Sequence, residues 1–238
     1  MNRPTAPTDL ILLSGGLDSA TLLADRAAAG TAGLAVAVNY GQRHVIELRA
    51  AAQLADHYDV PFTVLDLSSW GRLLGGSALT DRAVALPQRP GADQGPTIVP
   101  NRNATLLCAA AGIAQACSLR WVLTATHADD HDVYPDCRQD FLRAIELAVE
   151  LATEGQVGVD APFSHMSKAA VVRRAVELDV PIGMTWSCYA GGADSDTWWG
   201  NAVGSLHCGT CGACTGRRDA LADAGVPDPT RYATEAAV

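Results

Sequence analysis

Short apolar, β-branched runs alternate with longer alanine- and leucine-rich stretches of helical spacing through the first two thirds of the chain. The runs at 10–13, 34–38, 62–65, 121–124 and, more weakly patterned, 157–161 predict strands. The stretches at 19–29, 44–58, 103–117, 139–154 and 167–178 predict helices. Parallel neighbours need a crossover and a helix is the usual one, so this alternation specifies a parallel sheet wrapped by helices. The expected fold is α/β, a Rossmann-like doubly wound parallel sheet over residues 9–180, behind a flexible N-terminus at 1–8.

Two segments depart from this rhythm. Residues 68–100 are punctuated by Gly and Pro and exceed an ordinary connection, so a partly ordered substrate loop is expected there. From residue 181 onward the chain is rich in Trp, Cys and Gly, as in "TWSCYAGGADSDTWWGNAVGSLHCGTCGACTGRR". A small metal-stabilised lobe is expected over 181–220, then a tail at 221–238 whose last dozen residues fray. No internal repeat is evident.

Composition narrows the partners. A 238-residue chain with 48% hydrophobic content can bury the core of one domain plus an appendage. No apolar run has the length of a signal-peptide core or a membrane span, so the expected location is the cytoplasm, with no membrane partner. The formal net charge is −9 and no basic block relieves it, so nucleic acid is not an expected partner either. Lys168 is the single lysine among 17 basic residues, which raises the question of its use. Seven cysteines, an odd number, fit reduced thiols or a metal site better than a disulfide framework. Cys108 and Cys117, in an alanine-rich helix, are expected as buried small hydrophobes, and Cys137 as a packed thiol.

The first strand runs into "SGGLDS", residues 14–19. A glycine pair between a strand and a helix lets backbone N–H groups and the helix dipole approach an anion, which is phosphate-binding chemistry. The G-x-x-x-x-G-K-[ST] and G-x-G-x-x-G patterns both fail here. Ser14, Gly15, Gly16, Leu17, Asp18 and Ser19 are thus candidates for a nucleotide's phosphates, with hydroxyls from the serines. Asp18 can cap the helix or hold a metal ion against the phosphates. The bland alternative is a glycine turn with an aspartate cap and no ligand.

The S-G-G-x-D-S pattern resembles the signature of the PP-loop ATP pyrophosphatases, with an adenine nucleotide alpha hydrolase-like fold. Further stretches are "NYGQRH" (39–44), "VPNRN" (99–103), "THADDHDVYPDCR" (126–138), "SK" (167–168) and "TWSCY" (185–189). In this order they resemble the 7-cyano-7-deazaguanine synthase (QueC) family, over nearly the whole chain. The departure is an extra stretch at 193–205, with Trp198 and Trp199, which packs on the lobe, forms an interface or covers the substrate pocket.

The resemblance implies that ATP, with Mg²⁺, activates 7-carboxy-7-deazaguanine as an acyl-adenylate, that ammonia gives an amide, and that a second ATP drives nitrile formation. Asp18, Ser19 and Lys168 are the expected catalytic residues, against the alternative that Lys168 is merely solvated at a helix start. Arg43, Arg102 and Arg138 are candidates for the substrate carboxylate or phosphates, although at least one is expected only to pair with an acid. Tyr40 and Trp186 could stack on the deazapurine, or serve as core anchors. Gln42, Asn103, Tyr134 and Asp136 complete the expected substrate contacts. Asp136, with Asp130 and His131, could read guanine edges or orient ammonia. Cys208, Cys211 and Cys214 form C-x2-C-x2-C, and Cys188 is the best fourth ligand and the family's own. Four-cysteine coordination implies structural Zn²⁺; an iron–sulfur cluster is the rival. A homodimer is the expected assembly. Other possibilities are a relative joining the activated acid to another amine such as a protein N-terminus, a tRNA-thiolating enzyme, and a non-catalytic nucleotide-sensing zinc module.

Overall fold

A computed structural model describes residues 7–88, 93–190 and 205–233. The inserted stretch, apart from Ser205, lies outside the described residues, as do Trp198 and Trp199. Five strands form one sheet: β1 (Asp9–Leu12), β2 (Ala32–Asn39), β3 (Phe62–Asp66), β4 (Trp121–Leu123) and β5 (Gly158–Asp160). All pairings are parallel and the order is β3-β2-β1-β4-β5. The chain therefore winds outward from β1 to β3, then returns to place β4 on the other side of β1. The carboxyl ends of β1 and β4 flank the point where winding reverses, which is where open α/β sheets form their ligand crevice.

The central strand is buried on both faces and its side chains alternate between two cores. Leu10 joins Val36, Val122 and Val159 beneath α4 (Arg102–Ala116) and α5 (Gln139–Ala152). Ile11 and Leu13 face the larger core with Ala35, Ala37 and Leu123, covered by α1 (Leu17–Ala29), α2 (Ile46–His57) and α6 (Lys168–Glu177). This two-sided burial explains why β1 reads as an unbroken apolar run. Local signals set the helix ends. Ser167 caps α6 by accepting from the Ala170 N–H at 3.2 Å. Gly30, with φ of 73°, closes α1 by donating to the carbonyls of Arg26 and Ala27.

The long connection after β3 contains a one-turn helix, α3 (Ser68–Gly71), and a 3₁₀ turn at Gly95–Thr97. Leu79 and Val99 bury against Tyr40, so this segment packs onto the sheet's ligand edge. The last helix, α7 (Gly212–Asp223), contributes Ala220 and Leu221 to the main core, so the cysteine-bearing region shares that core.

Two expectations need correction. The chain does not fray over its whole last dozen residues. Tyr232 is buried, its hydroxyl donates to Asp228 Oδ2 at 2.7 Å, and the His207 backbone donates to Arg231 O and accepts from the Ala233 N–H. Burial of the Tyr232 ring holds this part of the segment against the fold. Cys108 and Cys117 are exposed, because they fall on the outer side of α4 and at its end. Cys137 is buried as expected.

Candidate active site

From β1 the chain turns through Leu13–Gly16 into α1. Gly15 has φ of 82°, and a Cβ there would lie 2.3 Å from the Glu47 carbonyl oxygen and 2.8 Å from the Ala51 nitrogen. Glycine is thus required by the close approach of α2 as well as by the left-handed backbone. Gly16 is the extended N-cap of α1 and accepts the helix's first bond from the Ala20 N–H at 3.0 Å. The N–H groups of Leu17, Asp18 and Ser19 consequently lie in the first turn, where no helical partner exists for them. Ser14 Oγ accepts from the Gly16 N–H at 3.2 Å and lies 3.0 Å from Ser19 Oγ.

α6 starts beside α1, which places the only lysine against the only acid of the turn. Lys168 Nζ donates to Asp18 Oδ2 at 2.7 Å and lies 3.3 Å from His127 Nε2. The Lys168 backbone N–H donates to Asp129 Oδ2 at 2.9 Å, and the His127 N–H to Asp130 Oδ2 at 3.1 Å. Burial alone would raise the Asp18 carboxyl, but the Lys168 ammonium, with His127, outweighs it and holds the acid below its ordinary range. Burial likewise works against the charged form of Lys168, yet Asp18 keeps the ammonium above its ordinary value. Asp18 Oδ1 is buried and has no hydrogen-bond partner among the described residues. That oxygen is free to accept a cation or a donor brought by a ligand.

A cavity of about 270 Å³ opens at the carboxyl ends of β1, β2 and β4. One end is lined by Ser14, Asp18, Ser19, Thr126 and Asp130. The other carries Tyr40, His44, Glu47, Arg102, Tyr134 and Tyr189, with Asn103 and Cys137 between. The Arg102 guanidinium lies 5.9 Å from the Tyr40 ring centroid. Burial would lower its basicity, but Tyr40 and Asp136 more than offset that, so it stays charged. Tyr134 Oη sits 2.9 Å from Thr97 Oγ1. Burial pushes the Cys137 thiol up to about 12, which leaves it protonated and unsuited to nucleophilic work.

Several residues expected at the substrate lie off the cavity. The Gln42 amide is used inside the protein, where its Oε1 accepts from the Tyr40 N–H and its Nε2 donates to Val38 O and Glu47 Oε1. Arg43 donates to the Asp81 carbonyl, and the exposed Arg138 to that of His131. Asp136 accepts from the Asn103 N–H at 2.9 Å and so fixes the start of α4. Trp186 stands behind the phosphate turn, with its N–H on Gly15 O at 2.8 Å and its indole on Cys188 O at 2.9 Å. Each is drawn away by an internal hydrogen bond that the sequence does not advertise.

Glu47, His44, Tyr189, His127 and Arg217 were not singled out as site residues. Glu47 sits within an amphipathic helix pattern and carries no separate signal. His127 lies inside "THADDHDVYPDCR", where its acidic and aromatic neighbours carry the more obvious chemistry. Arg217 is almost fully buried and donates to Thr185 Oγ1, Ser187 Oγ, Thr230 Oγ1 and the Ile182 carbonyl. It thereby ties α7 to the strand of chain that bears Cys188.

The four predicted cysteine ligands converge. The Sγ atoms of Cys188, Cys208, Cys211 and Cys214 all lie within 4.8 Å of one another. Cys208–Cys214 is 3.9 Å and Cys211–Cys214 is 3.5 Å, near the ~3.8 Å edge of a tetrahedron built on ~2.3 Å metal–sulfur bonds. The backbone N–H groups of Thr210 and Cys211 donate to Cys208 Sγ, as a thiolate ligand requires. The cluster can hold a metal ion, and it suits a single ion better than a multi-iron cluster, which would spread the sulfurs further apart.

A five-stranded parallel sheet whose first strand delivers S-G-G-x-D-S to the switch-point cavity defines an α/β protein of the PP-loop class. The family model described as "Queuosine biosynthesis protein QueC" matches residues 8–225, and the chain belongs to that family. The curated 7-cyano-7-deazaguanine synthase of Rhizobium meliloti (strain 1021) is 42% identical over 227 residues, covering 94% of this chain and 91% of the relative. That of Paracoccus denitrificans (strain Pd 1222) is 42% identical and covers 94% and 92%. That of Thiobacillus denitrificans (strain ATCC 25259 / T1) is 42% identical over 233 residues, covering 95% and 99%. Among solved structures, an NMN synthetase from Francisella tularensis aligns with a TM-score of 0.48 at 14% identity, over 81% of this chain and 71% of that one. Among the described residues no helix is long and apolar enough to cross a membrane.

Proposed function

We propose that the chain converts 7-carboxy-7-deazaguanine and ammonia to 7-cyano-7-deazaguanine at the expense of two ATP. The observation that carries this is family membership over residues 8–225, joined to an Asp18–Lys168 pair beside the phosphate turn. The substrate carboxylate attacks the α-phosphorus of ATP, pyrophosphate leaves, and an acyl-adenylate forms. Ammonia displaces AMP to give the amide. The amide oxygen then attacks a second ATP, and loss of AMP with two protons from nitrogen leaves the nitrile. Each carboxylate oxygen departs in one AMP, which turns oxide, a poor leaving group, into a good one.

The residues divide this work. The Ser14–Ser19 turn receives the phosphates, and Asp18, whose Oδ1 is buried without a partner among the described residues, would hold the Mg²⁺ that accompanies ATP, which would supply charge neutralisation there. Lys168 places a fixed positive charge where negative charge develops on the pentacoordinate phosphorus. Arg102 offers a forked donor to the substrate carboxylate, and Tyr40, Tyr134 and Tyr189 wall the planar ring. Cys188, Cys208, Cys211 and Cys214 would hold Zn²⁺ in a structural role, since four thiolates would fill its coordination. Incubating the protein with 7-carboxy-7-deazaguanine, ATP, Mg²⁺ and ammonium, and following products by mass spectrometry, tests the proposal. Nitrile, AMP and pyrophosphate are expected; an amide of another amine, or no turnover, would refute it.

A further inference from the structure

At the aromatic end of the cavity one carboxylate is held in place with no lysine or arginine paired to it among the described residues. Glu47 Oε1 accepts from Gln42 Nε2 at 2.8 Å, and Oε2 lies 3.2 Å from His44 Nε2. Gln42 is itself fixed by the Tyr40 N–H at 2.8 Å and by Val38 O at 3.0 Å. Gln42 and His44 of "YGQRH" thus orient Glu47, while Tyr40 and His44 line the cavity beside it. The Glu47 side chain is 13% exposed and lines the cavity. The cavity's other two acids are engaged elsewhere, Asp18 with Lys168 and Asp130 with His127. Glu47 Oε1 accepts one bond and Oε2 lies beside His44, and each carboxylate oxygen can accept a further donor.

Building on the function proposed above, we infer that Glu47 is the specificity residue for the base, its carboxylate accepting the adjacent N1–H and 2-amino donors of the deazaguanine ring. A 2-aminopyrimidin-4-one presents two parallel N–H donors on one edge. An ionised carboxylate, with two oxygens in the same plane, is the side chain that matches them. Asp136, one candidate for reading that edge, is spent on the start of α4 and lies off the cavity lining. Tyr40 and Tyr189 beside Glu47 supply flat apolar walls that leave the ring edge as its recognisable feature. A ring with hydrogen at C2 would bring one donor fewer and leave a buried carboxylate oxygen short of a partner. The penalty is on the order of 10- to 100-fold in affinity.

Calorimetric titration of the metal-loaded protein with 7-carboxy-7-deazaguanine, and with the same acid lacking the 2-amino group, tests this. The native chain should prefer the 2-amino compound by about 10-fold or more. Glu47→Gln should weaken binding of the 2-amino compound and bring the ratio near one, because its amide nitrogen would oppose a donor edge. Glu47→Asp, which keeps the charge, should retain part of the preference. Unchanged thermal melting of both variants confirms that the pocket is intact. A preference that survives in Glu47→Gln, while the native chain still makes nitrile, overturns the role of Glu47 and leaves the synthase assignment standing. A native chain that binds neither acid overturns both.

Discussion

The backbone N–H of Trp186 donates to the carbonyl of Gly15 at 2.8 Å, two residues before Cys188 enters the cysteine cluster. The phosphate turn is therefore tied directly to the metal-binding region, and the indole of Trp186 repeats the tie by donating to Cys188 O at 2.9 Å. Removing the metal should release both Trp186 and the turn. Chelation is expected to cost several kcal/mol and about 10 °C or more in Tm, and to weaken ATP binding. A melting curve and an ATP titration that chelation leaves unchanged would contradict this coupling.

Gly15 and Gly30 share a left-handed backbone but differ in surroundings. An added Cβ at Gly30 meets nothing within 4 Å, so Gly30→Ala should cost about 1 kcal/mol from backbone strain alone. At Gly15 the same Cβ meets the backbone of α2 at 2.3 Å, and Gly15→Ala should cost roughly 3 kcal/mol or more. Urea denaturation of the two variants gives the comparison, and equal losses would show that α2 yields easily.

The Asp18–Lys168 pair makes a prediction with a definite sign. Asp18 is held below 3.8, so its contribution to stability is complete above that pH and is lost as pH falls through the lower folded value. Lys168 is held above 10.5, so its contribution is present below that pH and is lost as pH rises through the higher folded value. In Lys168→Met the Asp18 carboxyl should titrate higher than in the native chain, as read by carbon NMR of that side chain. Pyrophosphate release should fall about 10²- to 10³-fold. An Asp18 titration that does not move would mean that the two groups are not coupled in solution.

Thiol accessibility separates cysteines of one chain. Cys108 and Cys117 are exposed, whereas Cys137 is buried and its thiol is pushed up to about 12. Iodoacetamide at pH 8 should label the first two in the native, metal-loaded protein and spare Cys137 until the chain unfolds. Peptide mass mapping reads the outcome, and early labelling of Cys137 would place it at the surface.

Much of this was legible in the residue pattern because it depends on short-range rules. The five strands follow from short apolar, β-branched runs, and in the central one Leu10 and Ile11 show the alternation that burial on both faces demands. The cysteine ligands follow from spacing plus one distant thiol, and all four converge. What escaped depends on specific side-chain hydrogen bonds that residue type and spacing do not announce, near in the chain or distant. Gln42 and Glu47 look like any polar loop residue and any helix acid, and only their 2.8 Å bond shows that one serves the other. Arg217 reads as a basic residue of a surface helix, yet it is buried with four acceptors. Arginine in such a place means a specific cage, and replacing it with alanine should cost about 3–5 kcal/mol.

The central claim is that one cavity uses two ATP to turn a carboxylate into a nitrile. The most direct measurement is the stoichiometry of AMP to nitrile when 7-carboxy-7-deazaguanine, ATP, Mg²⁺ and ¹⁵N-ammonium are supplied to the metal-loaded protein. Two AMP should form per nitrile, with ¹⁵N in the nitrile and the amide appearing transiently. AMP released without any ¹⁵N-labelled deazapurine, or a reaction that halts at the amide with one AMP, would contradict it.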